Sequence, residues 1–174
     1  KGRINESFAN FGENKKNIHL VLGLIKGKRM DLAIEKSVEF GVKSIHPVLF
    51  ERSIKKTLNI ERLTKIITSS AKQTGRSFFP ELKKIRKFPD WIEKYKHDNS
   101  YACHFSGKFK IKNVVNSQTD EIMIIIGPEG DFSASEIAIL NDNKVPLVNL
   151  GSRRLRSESA CISSILTTSD VIEG

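Results

Sequence analysis

Two clusters in the last third of the chain carry residue types able to do chemistry. The first is Gly127-Pro128-Glu129-Gly130, a glycine-flanked turn with one carboxylate, set between the apolar run EIMIII and a segment that begins DFSASE. The second is LGSRRLRSESA, where Arg153, Arg154 and Arg156 crowd together ahead of Glu158. A strand, a glycine turn and a helix start is the sequence form of a phosphate-cradling loop. This turn lacks the Gly-Lys-Ser/Thr of a P-loop and the GxGxxG of a dinucleotide fingerprint, and Glu129 would repel a phosphate. A fixed carboxylate, free backbone N–H and C=O groups and a helix N-terminus suit a neutral or cationic ligand with hydroxyl and amine groups. Ordinary turn chemistry also accounts for the tetrapeptide taken alone. A solvated loop with a weak surface ion pair likewise accounts for the arginines taken alone.

The elements that must position these clusters alternate between strand and helix. IHLVLGLI, from Ile18, has strand length and strand composition. After the turn KGKR, Met30, Ala33, Ile34, Ser37, Val38 and Gly41 recur at helical spacing, with Gly41 as the stop. VKSIHPVLF is a second strand, and Pro47 within it predicts a bulge or an irregular end. From Asn59, a possible N-cap, to Gly75 a helix places Leu63, Ile67, Ser70, Ala71 and Thr74 on one face. ELKKIRKF reads as a strand, PDWIEKY as a short proline-started helix, and SYACHF and EIMIIIG as further strands. Ser133 and Glu136 have capping-box spacing; VPLVNLG is the last strand and SESACISSILTTSDVI the final helix. Apolar strands alternating with helices predict an α/β fold, a mostly parallel sheet flanked by helices, in which ligands gather at the carboxyl ends of the strands. The loops CHFSGK, GPEG and LGSRRLRSESA should converge there.

The chain of 174 residues carries a net charge of +9, unevenly spread. Residues 1–100 hold 22 Lys and Arg against 11 Asp and Glu, and residues 101–174 hold 7 against 9. A polyanion-binding surface would therefore be built from the first hundred residues. Cys103 and Cys161 form no Cys-x-x-Cys pair, and His19, His46, His97 and His104 are scattered, so neither a disulfide nor a metal site is expected. There is no apolar run of membrane-spanning length, and the opening KGRINESFANFGENKKN has no signal-peptide core. These features read as a soluble, cytoplasmic protein without membrane partners. The polar first 17 residues read as a linker or as the remnant of a preceding element, with the domain proper spanning 18–174.

In combination, GPEGDFSASE followed by LGSRRLRSESA resembles the RsmE family of 16S ribosomal RNA methyltransferases, of the SPOUT class, whose pattern is GPEGGFSxxE followed by LGxRILRxETA. RMDLAIEKSVEFGVKSIHPVLFERS and AKQTGRSFFPEL extend the likeness upstream. The resemblance implies a sheet whose C-terminal segment forms a trefoil knot, a homodimer with the site at its interface, and an N-terminal PUA-like RNA-binding domain that residues 1–17 would follow. It implies S-adenosyl-L-methionine as cofactor and methylation of N3 of a uridine in 16S ribosomal RNA of the small ribosomal subunit. The cofactor would lie against His104, Phe105, Gly127, Pro128, Glu129, Gly130, Leu150, Gly151, Leu155, Arg156, Ser159 and Ala160. Arg156 would stabilise the uridine anion or orient the target, Glu158 would accept the proton or orient Arg156, and Lys36, Arg52, Gln73, Arg76 and Arg154 would face RNA. The i,i+3 spacing of Gln73 and Arg76 also predicts a shared helix face.

Three residues depart from the family pattern: Asp131 for glycine, Arg154 for isoleucine and Ser159 for threonine. Asp131 implies a backbone there that avoids positive φ, and Arg154 must reach solvent or RNA. These departures also admit a rival reading, a non-catalytic knotted RNA-binding protein acting in ribosome assembly.

Overall fold

The computed structural model describes residues 2–174. Its elements are β1 (Asn17–Gly23), α1 (Lys28–Glu39), β2 (Ser44–Leu49), α2 (Ile60–Gln73), β3 (Glu81–Leu82), β4 (Arg86–Lys87), α3 (Phe88–Tyr95), β5 (Ser100–Cys103), β6 (Glu121–Ile126), α4 (Ala134–Asp142), β7 (Leu147–Val148) and α5 (Ser157–Glu173). The strands form one sheet in the order β3-β2-β1-β6-β5-β7, with β4 also on β2. Every pairing is parallel. β1 and β6 are buried along most of their length, as expected for a parallel sheet covered on both faces. One core layer joins Leu20, Leu22, Ile122 and Ile124 to Met30, Ala33, Ile34 and Val38 of α1 and to Cys161 and Ile165 of α5. The other joins Val21, Val48 and Ile125 to Phe88, Trp91 and Ile92 of α3 and Leu140 of α4.

Local chemistry explains most boundaries. Asn59 caps α2, its side chain accepting from Arg62 N at 2.9 Å. Ser133 and Glu136 form the full capping box of α4. Pro89 starts α3, and buried Tyr101 ties β5 to α5 through Thr168 Oγ1 at 2.6 Å. Pro47 makes no bulge: β2 runs in unbroken register along β1. Its outer neighbour is interrupted instead, since β3 pairs Ser44 and Ile45 while β4 pairs Val48 and Leu49. The residue without an N–H faces that gap, so ELKKIRKF divides into two short strands rather than one.

Residues 2–16 form no helix or strand, yet they are tied down. Asn14 donates to Phe40 O at 3.0 Å, and Ser77 N donates to Phe11 O at 3.0 Å. Arg76 lies just beyond α2 and is only 8% exposed. It forms a forked ion pair with Glu13 and donates to Val38 O and Val42 O at 3.1 and 2.9 Å. Gln73 points to solvent, so the two residues share no face, and Arg76 is committed to the interior rather than to RNA.

At the amino ends of the central strands a buried polar chain is fully oriented. Trp91 Nε1–H donates to His46 Nδ1 at 3.0 Å, so His46 Nε2–H donates to Ser44 Oγ at 2.8 Å. The Ser44 hydroxyl then donates to His19 Nδ1 at 2.6 Å, and His19 Nε2–H faces Glu121. Burial, then His19 and Lys83, push His46 from 6.5 down to about 4, against the opposing pull of Glu81. The unfolded chain therefore gains a proton that the folded one refuses as pH falls through this window. Acidification from pH 7 to 4 is expected to remove roughly 3 kcal/mol of stability. Urea unfolding across that range checks this, and His46→Gln should flatten the profile.

Candidate active site

The three loops meet at the carboxyl ends of β5, β6 and β7 around a cavity of about 360 Å³, within the usual range for small-molecule sites. Two close approaches hold them there. A Cβ on Gly23, at the end of β1, would lie 2.5 Å from Pro128 N, so the end of β1 abuts the second loop directly. A Cβ on Gly107 would lie 2.5 Å from Val148 C and 2.7 Å from Asn149 N, so the first loop lies on the backbone that opens the third. Asn149 N donates to Phe109 O at 3.0 Å, and His104 N to Val148 O at 2.9 Å, across the same crossing.

The cavity is lined by His104 and Phe105 from the first loop, Gly127, Pro128 and Glu129 from the second, and Leu150, Gly151, Leu155 and Arg156 from the third, with Ala160 of α5 behind them. Arg154 is on its rim with 71% of its side chain exposed. Gly130 turns away, toward Arg52, whose guanidinium donates to Gly130 O at 3.2 Å and Phe132 O at 3.1 Å. Arg52 thus braces the turn. Ser159 is not among the lining residues. Lys36 is paired with Glu39 at 2.8 Å and Glu35 at 3.3 Å on its own helix, and those carboxylates raise its pKa. Lys36 and Gln73 both lie outside the cavity.

The wall contains groups that sequence reading passes over. Arg29 reads as a turn residue in KGKR, but its guanidinium stands between two carboxylates, 3.9 Å from Glu129 and 3.8 Å from Glu158. Glu158, at 7% exposure, thus faces Arg29 and makes no ion pair with Arg156 among the described residues. Glu129 Oε1 accepts from Lys26 N at 3.0 Å. Glu129 Oε2 and Glu158 Oε2 are buried without hydrogen-bond partners among the described residues. Such orphans are rare in native proteins and ask for a donor. Cys103 also lines the cavity, and burial pushes its thiol up to about 12, so it is a neutral wall and not a nucleophile. Arg156 is the N-cap residue of α5, exposed, and without an ion-pair partner among the described residues.

Asp131 contradicts the sequence reading of its backbone. It adopts φ of 63°, the conformation for which glycine is the default. Aspartate tolerates it because Asp131 Oδ1 accepts from Phe132 N at 2.9 Å, while Asp131 N closes a turn onto Pro128 O at 2.9 Å.

The donor set fits S-adenosylmethionine. Glu129 offers a buried, unpartnered acceptor to a cationic donor, while Ile126, Leu150, Leu155 and Ala160 give apolar contact. No helix is long and apolar enough to cross a membrane among the described residues, and no cluster of three or more His, Cys, Asp or Glu is placed to hold a metal ion among them.

A deep parallel sheet with three loops closing over a carboxylate-walled, arginine-rimmed pocket defines the class, and residues 12–169 match the RNA methyltransferase domain family. The chain is 31% identical to ribosomal RNA small subunit methyltransferase E 2 of Borreliella burgdorferi, covering 94% of this chain and 73% of that protein. Against ribosomal RNA small subunit methyltransferase E of Rickettsia conorii it is also 31% identical, covering 87% of this chain but 63% of the relative. The chain belongs to the ribosomal RNA small subunit methyltransferase E family. The enzyme of that name from Neisseria gonorrhoeae, solved with S-adenosylmethionine, superposes with a TM-score of 0.85 at 28% identity over 91% of this chain and 68% of that one. A Legionella pneumophila protein solved with the same cofactor gives 0.85 at 29% identity over 91% of this chain and 67% of that one.

Proposed function

We propose that this chain is an S-adenosylmethionine-dependent methyltransferase acting on N3 of a uridine in 16S ribosomal RNA of the small ribosomal subunit. The observation that carries the reading is the pairing of opposite features in one cavity: a carboxylate oxygen of Glu129 on the wall and the guanidinium of Arg156 at the mouth, both without partners among the described residues. S-adenosylmethionine supplies an activated methyl group when bound. Gly127, Pro128, Glu129, Leu150, Gly151, Leu155 and Ala160 hold it, Glu129 facing its positive charge. Once the N3 proton has passed to solvent water, negative charge spreads over the ring carbonyl oxygens, and N3 takes the methyl carbon as its bond to sulfur breaks. Arg156 is free to meet that charge with two parallel donors. Glu158 works through Arg29, keeping its guanidinium on the cavity side of α1, and so is a positioning residue. Work on a cytoplasmic RNA as a homodimer completes this reading.

The test is titration with S-adenosylmethionine followed by tritiated methyl transfer onto undermethylated small subunits. Binding with transfer is the expected result; binding without transfer would favour the assembly-factor reading, and absence of binding would reject both the cofactor and the reaction. The basic first hundred residues give a second expectation. Affinity for small-subunit RNA should fall steeply between about 50 and 200 mM salt, and a flat response in filter binding would remove them from the interface.

A further inference from the structure

We propose that Asp131, His104 and Arg154 form a charged clasp joining the three loops across the pocket mouth, so that release of bound cofactor waits on its opening. This rests on the reading of the pocket as an S-adenosylmethionine site. Asp131 Oδ2 lies 3.5 Å from His104 Nε2 and 3.5 Å from Arg154 Nη2. Each residue comes from a different loop, and all three line the cavity.

The arrangement is directed rather than incidental. Ser106 N–H points at His104 Nδ1 from 3.3 Å, so the ring's other nitrogen carries its proton toward Asp131. Asp131 Oδ1 is already fixed by Phe132 N, leaving Oδ2 as the free arm. The left-handed backbone at Asp131 aims that arm at the mouth. Contacts of 3.5 Å are longer than formed charge-assisted hydrogen bonds, so the clasp has room to tighten. An ion pair this exposed contributes little in open water. A ligand that fills the cavity and expels water strengthens it, because the same charges then interact through a lower dielectric. Arg29, Arg153 and Arg156 are the other cations of the cavity and Glu129 its other nearby anion, and among the described residues none of the three arginines pairs with Asp131.

The experiment follows dissociation of S-adenosylmethionine from the full chain by stopped flow. Asp131→Asn keeps a side-chain acceptor for Phe132 N–H and removes the charge; Arg154→Ile removes the other pole. Each is expected to speed release about three- to tenfold, with the double variant no faster than Asp131→Asn alone. High salt should speed release more in the parent than in either variant. Asp131→Gly should melt at the same or a higher temperature, since glycine suits the left-handed backbone, yet release faster. Unchanged release, or effects that multiply in the double variant, would overturn the clasp while leaving the pocket reading intact. A parent chain that binds no S-adenosylmethionine would overturn both.

Discussion

Replacing Arg156 with alanine is expected to leave S-adenosylmethionine affinity within a few-fold of the parent while methyl transfer to small-subunit RNA falls by about two to three orders of magnitude, the loss seen when a preorganised donor to a developing anion is removed. The guanidinium sits at the cavity mouth with no ion-pair partner among the described residues, so its removal strips no buried charge of its counterion. Stability should hardly change. The separation of binding from turnover is the informative feature, because an interaction made only as charge develops lowers the rate without weakening ground-state binding. Isothermal titration with cofactor and single-turnover transfer assays on the same preparation read both quantities. Equal losses in the two would mean that Arg156 holds the cofactor instead.

Arg76→Ala is expected to cost about 3–5 kcal/mol, since it leaves Glu13 with an uncompensated charge in a largely buried position. It also strips Val42 O, just past the end of α1, of its donor, while Val38 O keeps the N–H of Gly41. For a chain of this size that corresponds to a fall in melting temperature of roughly 10 °C. Glu13→Ala should cost less, because Arg76 keeps both carbonyl acceptors. Melting curves of the two single variants and the double one give the coupling directly, and independent losses would show that the pair is incidental. RNA affinity, in contrast, should not respond to Arg76 except through unfolding.

Arg76 also shows where sequence reading stops. Periodicity placed α1, α2 and the apolar strands because spacing along one element decides which face is buried. It could not reveal that an arginine after α2 meets a glutamate 63 residues earlier, in a stretch without any period. The same holds for Arg29, which looks like turn punctuation and becomes part of the cavity only when the loop after β1 folds against Pro128. Pro47 was read as distorting its own strand, whereas its effect falls on the neighbour, where β3 and β4 separate. The φ of 63° at Asp131 lies beyond sequence because a residue type gives a preference for φ, not its value. Glu129 and the arginine loop were legible since their chemistry, a carboxylate where a phosphate loop would exclude one, needs no partner to be recognised.

The contact between Gly107 and the Val148–Asn149 backbone ties ligand residence to the integrity of the chain's last segment. Residues that follow Asn149 hold their positions against the first loop, so the third wall of the pocket stands on it. The reverse also holds. Lifting the 147–156 segment off that crossing would open the cavity and strip the edge strand from β5 in one event. Occupancy of the cavity then weighs against local opening of the sheet edge by mass action, and hydrogen exchange in β5 becomes a gauge of how full the site is.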